Sequence, residues 1–155
     1  MSSSKKLKGH TYQAKVHASS RGFQYTLPNG YRLSVMFDHG NYCDNRFSGE
    51  FPLARPISSS NFEVAVFTPD DKFLDLIDEP EDEDGISRVE QVIGWVPAWT
   101  LPNLIQRIKF FPDHHLDLPK QKRDYALAFG KFCENARDAD RGNHSVFEDQ
   151  WGGER

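Results

Sequence analysis

The sequence predicts an α+β domain: a mainly antiparallel sheet of about five strands, built around two hairpins, with two C-terminal helices packed on one face. Three observations lead there. Two pairs of alternating segments are each joined by turn-forming residues. No helical segment separates successive strands in the first hundred residues, which argues against parallel crossover units. Near Thr100 the apolar period changes from two to about 3.6, so strands are followed by helices.

The elements are justified in chain order. Residues 1–9 are Ser- and Lys-rich without an apolar anchor, and are expected to form a flexible N-terminal tail. Residues 10–137 are expected to form one domain, and residues 138–155 a polar C-terminal tail. Within the domain, Tyr12, Ala14 and Val16 alternate weakly and predict a first strand over 11–18. Phe23, Tyr25 and Leu27 alternate strongly, Pro28-Asn29-Gly30 follows, and Leu33, Val35 and Phe37 resume the alternation. That pattern is a β-hairpin, because proline presets φ, Asn tolerates the next turn position, and Gly30 takes a left-handed conformation without cost. Phe62, Val64 and Val66 lead into Pro69-Asp70-Asp71-Lys72, with Phe73 to Ile77 returning, which predicts a second hairpin. Val89 to Val96 is a β-branched run around Gly94 and Trp95 and predicts a further strand. Leu101, Leu104, Ile105, Ile108 and Phe111 fall at helical spacing, with Thr100 as N-cap, Pro102 in the first turn and Pro112 as terminator. A second helix is expected over 119–137, with Tyr125, Ala128, Phe129, Phe132, Cys133 and Ala136 as its apolar stripe and Gly130 on the flank.

Composition narrows the function. The chain has 155 residues, 37% of them hydrophobic, with 12 phenylalanines, so it can bury a core in which rings dominate. No apolar run reaches the roughly 20 residues needed to span a bilayer, and the basic, polar start lacks the apolar centre of a secretory signal. A cytoplasmic protein without membrane contact is expected. Cys43 and Cys133 are too few and too far apart for a disulfide framework or a structural zinc site. The net charge of -4 hides an asymmetry: nine acids and the single Lys72 lie between Asp70 and Asp84, leaving a mildly basic remainder. Direct nucleic-acid binding is disfavoured, since the basic clusters at Lys5, Lys6 and Lys8 and at Lys120, Lys122 and Arg123 are too short for a phosphate-neutralising stripe.

The strand-to-loop passage Asn29-Gly30-Tyr31-Arg32-Leu33-Ser34-Val35-Met36-Phe37, running into His39-Gly40-Asn41-Tyr42-Cys43-Asp44-Asn45-Arg46, resembles small uncharacterised proteins of bacteriophages and mobile elements. Their second hairpin and short helix would correspond to Phe62 to Ile77 and Thr100 to Phe111. The acidic loop and the extension after Pro112 depart from that pattern. The resemblance implies a phage or mobile-element accessory protein acting inside a bacterial cell.

Candidate chemistry concentrates in three places. Cys43 with His39, Asp44 and Asp38 could form a thiol nucleophile with a nearby base, as in a small hydrolase or nuclease-like enzyme, although a Gly/Asn/Asp-rich loop more commonly serves as a structural turn. His114, His115 and Asp117 could hold a metal only with a partner such as His17, Asp140 or His144, and no metal or cofactor is expected. No HExxH, GxSxG, P-loop or GxGxxG motif occurs. The leading expectation is therefore a protein that binds and modulates a host protein, for instance as an inhibitor of a nucleic-acid-binding or defence protein. The acidic loop 78–84 (Asp78, Glu79, Glu81, Asp82, Glu83 and Asp84) would supply a negative surface, and Trp99 and Trp151 exposed aromatic anchors. A structural or assembly role, with self-association through Phe147 and Trp151, is the third expectation.

Overall fold

A computed structural model describes residues 12–19, 21–46 and 58–151, with side chains as far as Arg141. The N-terminal tail expected over 1–9 and the last four residues of the chain lie outside the described residues. The strands are β1 (Lys15–Ser19), β2 (Gly22–Thr26), β3 (Arg32–Met36), β4 (Asn61–Phe67), β5 (Ile77–Glu79), β6 (Arg88–Glu90) and β7 (Ile93–Pro97). A 3-10 turn, Ala98–Thr100, leads into α1 (Leu101–Lys109), and α2 runs from Pro119 to Trp151. An antiparallel sheet in the order β1-β2-β3-β4-β7 and a two-stranded sheet β5-β6 make an α+β fold, as the sequence predicts.

Alternation puts one face of the sheet into the core. Leu33 pairs with Val66 and Val35 with Val64, and the same face carries Phe23 and Tyr25 on β2 and Phe62 on β4. Leu33, Val35, Val64 and Val66 are fully buried. Leu104, Ile108 and Phe111, with Ala126, Phe129 and Cys133 of α2, close that face into a single cluster. The first hairpin forms as its turn chemistry dictates: the Gly30 amide donates to Leu27 O at 3.0 Å, and Gly30 sits at φ 100°.

Four expectations change on contact with tertiary structure. The second hairpin stops after one bridge, Phe67 to Phe73, and β4 instead pairs with β7, because Ile77–Glu79 leaves the main sheet to pair with Arg88–Glu90. The run Val89 to Val96 is therefore two strands, not one. Thr100 stands at the N-cap position of α1 as expected but its side chain does not cap the helix: its backbone is already helical and its hydroxyl donates to Pro97 O at 2.7 Å inside the 3-10 turn. Finally, α2 does not end at Arg137 but continues through Trp151, so most of the expected polar tail is helix.

The stripe on α2 is also rotated from its expected position. Ala126, Phe129, Gly130, Cys133 and Ala136 face inward, at helical spacing, while Tyr125 and Ala128 are exposed. Gly130 sets this rotation, since a β-carbon there would lie 1.8 Å from the Leu76 carbonyl oxygen. The helix and the chain entering β5 thus touch backbone to backbone. At the other end of the helical layer, Asn29 of the first turn donates its side-chain amide to the carbonyls of Ile108 and Phe111, at 2.7 and 3.3 Å. Ile108 O also accepts from the Phe111 amide at 2.9 Å, so the Asn29 side chain adds a second donor to the tightened last turn where α1 closes at Lys109, ahead of Pro112.

Candidate functional site

Two surface features emerge from this frame: a polar cleft beside the loop 38–46, and the acidic hairpin β5-β6.

The cleft begins with a β-bulge. Phe62 pairs with Val96 and Val64 with Ile93, so Gly94 and Trp95 together oppose the single residue Glu63. Trp95 sits at φ 52°, a left-handed conformation that costs an aromatic residue on the order of 1–3 kcal/mol. The loop holds it there. The Trp95 amide donates to Tyr42 O at 2.8 Å, and a β-carbon on Gly94 would lie 2.3 Å from Tyr42 Cβ. Glu63 secures the loop from the other side, its two carboxylate oxygens accepting from Asn41 Nδ2 and from the Tyr42 amide, both at 3.0 Å. Asp38 is buried, ion-paired with Arg21 at 2.8 Å, and accepts from the Gly40 amide at 3.0 Å. Asn45 donates to Phe37 O and Ser58 O.

These constraints build a row of rings and cations. The Arg46 guanidinium stacks on Tyr42, 4.1 Å from the ring centre; Tyr42 lies 5.4 Å from Trp95; and the Arg141 guanidinium lies 5.5 Å from the Trp95 ring centre. Around Trp95 opens a cleft of about 360 Å3 lined by Asp44, Ser60, Asn61, Asp140 and Arg141. Ser60 donates its hydroxyl to Asp44 Oδ2 at 3.0 Å, and Asn61 Oδ1 accepts the Asp44 amide at 2.7 Å. The described lining of the cleft thus combines one indole with polar groups, two carboxylates against one guanidinium.

The catalytic candidates divide between different jobs. Cys43 is buried, its thiol donates to Asp38 O at 3.4 Å, and burial, with the acids Asp44, Asp38 and Glu63 nearby, pushes its pKa up. It is a protonated packing residue, the opposite of what an attacking thiolate requires. The Asp44 carboxylate is exposed and faces the cleft with Ser60, while His39 is half-buried in the loop. Among the described residues no group of three or more His, Cys, Asp and Glu side chains is placed to hold a metal. His114 instead contacts the Tyr31 ring, with ring centres 5.8 Å apart, and approaches Asp70 at 3.9 Å. Burial and Lys122 hold its pKa below the ordinary histidine value.

The acidic segment is a hairpin clamped to α2. Asp78 pairs with Arg123 at 2.7 Å, and Glu79 with Arg88 at 3.5 Å. Arg88 also reaches Glu90 and, at 2.6 Å, the buried Glu134 of α2, which Arg137 and Lys131 approach at 3.5 and 3.7 Å. Hydrogen bonding to Glu90 and Glu134 raises the Arg88 pKa further, so it remains a cation at every working pH. Beyond the clamp, Glu81, Asp82, Glu83 and Asp84 are exposed. Asp82 organises the turn, accepting from the amides of Asp84 and Ile86 at 2.9 Å. Trp99 is 61% exposed at the start of the helical layer, and the side chain of Trp151, the last residue of α2, lies outside the described residues, as does that of Phe147.

Glu63, Asn61 and Arg141 escape sequence reasoning, and Asp140, considered there only as a metal partner for the His114 cluster, lines this cleft instead, since nothing in their spacing links the four. One signal was available: an isolated glycine inside a strand pattern, Gly94, marks a bulge.

Fold and surface together define an α+β domain with a clamped acidic hairpin and an aromatic-polar cleft. Comparison with protein families, with curated proteins and with solved structures finds no match to this chain. Among the described residues no helix is long and apolar enough to cross a membrane.

Proposed function

We propose that this protein is a non-catalytic binding module that docks its acidic hairpin onto a basic surface of a partner protein. The observation that carries this reading is the division of charge along one short segment. Asp78 and Glu79 are consumed by Arg123 and Arg88, whereas Glu81 to Asp84 project, with no ion-pair partner among the described residues, from a turn that Asp82 orders. A rigidly held block of like charge steers and orients a complementary surface at little entropic cost, which a solvated loop of the same composition would not do. The resemblance to phage and mobile-element proteins supports a bacterial host protein as the partner, with inhibition of a nucleic-acid-binding or defence protein as the fitting outcome.

The test uses the full chain and a defined basic probe, a 12-residue Gly/Ser peptide carrying three arginines, titrated at several salt concentrations. Replacing Glu81, Glu83 and Asp84 with Gln, Gln and Asn, while keeping Asp82 to hold the turn, is expected to weaken binding about tenfold at low salt and to flatten the salt dependence. Unchanged affinity and slope would refute the reading.

A further inference from the structure

We propose that the cleft around Trp95 is the seat for an arginine side chain of that basic partner, and that Arg141 occupies this seat in the unbound protein. The inference rests on the reading above and adds the residue-level anchor that an acidic tip lacks. Among the described residues its lining carries Asp44 and Asp140 against Arg141 alone, a net negative set that disfavours an anion. Its lining includes an indole, the ring that attracts a cation best, and the Arg141 guanidinium already sits within the roughly 6 Å range of that attraction. Arg46 on Tyr42 repeats the same chemistry one ring away. The volume of about 360 Å3 falls within the range of small-ligand pockets and exceeds what one guanidinium fills.

The geometry also separates binding from folding. Ser60 fixes Asp44 Oδ2, holding that carboxylate at the rim, while Asp140 and Arg141 lie on the exposed side of α2. Arg141 can therefore swing away without disturbing the core. An incoming arginine would take over the Trp95 ring and the two carboxylates, and Arg141 would be released to water. Trp and Arg at a desolvated centre are the residues that dominate recognition energetics.

This arrangement predicts the sign of one substitution. Arg141→Ala removes the internal competitor and leaves the cleft with two carboxylates and a bare indole, so the arginine peptide is expected to bind about fivefold tighter. An anion site would behave oppositely, because Arg141 is the only cation among its described lining residues. The experiment follows the Trp95 indole N–H resonance of the 15N-labelled full chain during titration with the three-arginine peptide and with its citrulline counterpart. The arginine peptide is expected to shift that resonance and saturate, the citrulline peptide to leave it in place, and Asp140→Asn to weaken binding roughly three- to tenfold. Weaker or unchanged binding by Arg141→Ala, or an equal response to citrulline, overturns the proposal. If the hairpin-tip variant weakens binding while Arg141→Ala and Asp140→Asn do not change it, the cleft inference falls and the acidic-hairpin reading stands. If none of the variants changes binding, both fall.

Discussion

Gly130→Ala sets two well-calibrated effects against each other. In an isolated helix, alanine is better than glycine by about 1 kcal/mol, so propensity alone predicts a stabilised protein. The structure predicts the reverse. The added methyl would lie 1.8 Å from the Leu76 carbonyl oxygen and 2.6 Å from its carbonyl carbon, both backbone atoms that cannot rotate away. Reaching even 3.0 Å requires α2 and the chain entering β5 to separate by roughly 1.2 Å, across a contact where Leu76 is fully buried. Overpacking of this kind typically costs about 1–3 kcal/mol in a side-chain core, and a backbone neighbour places it at the upper end or beyond. Subtracting the propensity gain leaves a net loss of about 2 kcal/mol. With a urea slope of about 2 kcal/mol/M for a domain of this size, the midpoint is expected to fall by about 1 M. Because the displaced segment leads directly into β5, amides of the β5-β6 hairpin should also exchange faster with solvent. A midpoint that rises, or stays within 0.2 M or so of the parent, would refute the claim that the two backbones touch.

Four further outcomes follow from the same geometry. Glu63→Ala removes the acceptor for Asn41 and for the Tyr42 amide, and is expected to cost about 2 kcal/mol in urea unfolding and to abolish exchange protection at Tyr42; retained protection would show that the bulge alone holds the loop. Glu134→Ala leaves Arg88 without its buried partner and should lower stability by about 3 kcal/mol, whereas exposed pairs such as Lys120 with Asp124 should cost under about 1 kcal/mol when broken, both by denaturant titration. Cys43 and Cys133 are buried, and burial pushes both thiols above their usual pKa, so iodoacetamide at pH 8 should modify them roughly a hundredfold more slowly than in urea; fast labelling of Cys43 would revive the nucleophile. The His114 pKa is depressed in the folded state, so the unfolded chain binds the proton first; this contribution is intact above about pH 6.5 and is lost as pH falls through that value toward the folded pKa. His114→Gln should flatten that part of the melting-temperature profile, and an unaltered slope would assign it elsewhere.

Local rules carried the fold as far as neighbouring residues determine it. Alternation and turn chemistry located β2, β3 and their turn within a residue, and helical spacing located α1 and the start of α2. Errors arose where the decisive partner lies far along the chain. Phe73 to Ile77 has a strand-like pattern, yet only tertiary pairing shows that Ile77 belongs with Glu90 and that β4 belongs with β7. The face of α2 was placed correctly at Phe129, Phe132, Cys133 and Ala136 but wrongly at Tyr125 and Ala128, which are exposed, because a backbone 54 residues earlier, at Leu76, turns the helix toward Ala126 and Gly130. The acidic hairpin was visible as composition, but its clamp was not, since Arg123, Glu134 and Arg137 look like an ordinary solvated helix face. The cleft was the least legible part. Its lining comes from four separated stretches, and its central residue is positioned by a backbone conformation that an aromatic residue rarely adopts.

Both surface features trace to one topological choice. The chain leaves the sheet at the end of β4 and returns to the neighbouring position as β7, so the stretch between Thr68 and Val92 is an excursion that adds a single bridge, Phe73 to Phe67, to the ladder. Such an insertion costs little extra closure entropy as it lengthens, which frees its sequence to be acidic rather than apolar. It must still be held, and α2 holds it through Gly130 against Leu76 and through Arg123, Lys131, Glu134 and Arg137 around its base. Further along, the same helix carries Asp140 and Arg141 to the cleft. The returning strand enters through the bulge that aims Trp95 at that cleft, so the strain at Trp95 is stored where the excursion rejoins the sheet. A helix that ended at Arg137 would still close the core and clamp the hairpin, yet it would leave Trp95 without its cation. The turns beyond Arg137 begin by completing the cleft, which makes α2 the one element on which hairpin and cleft both depend.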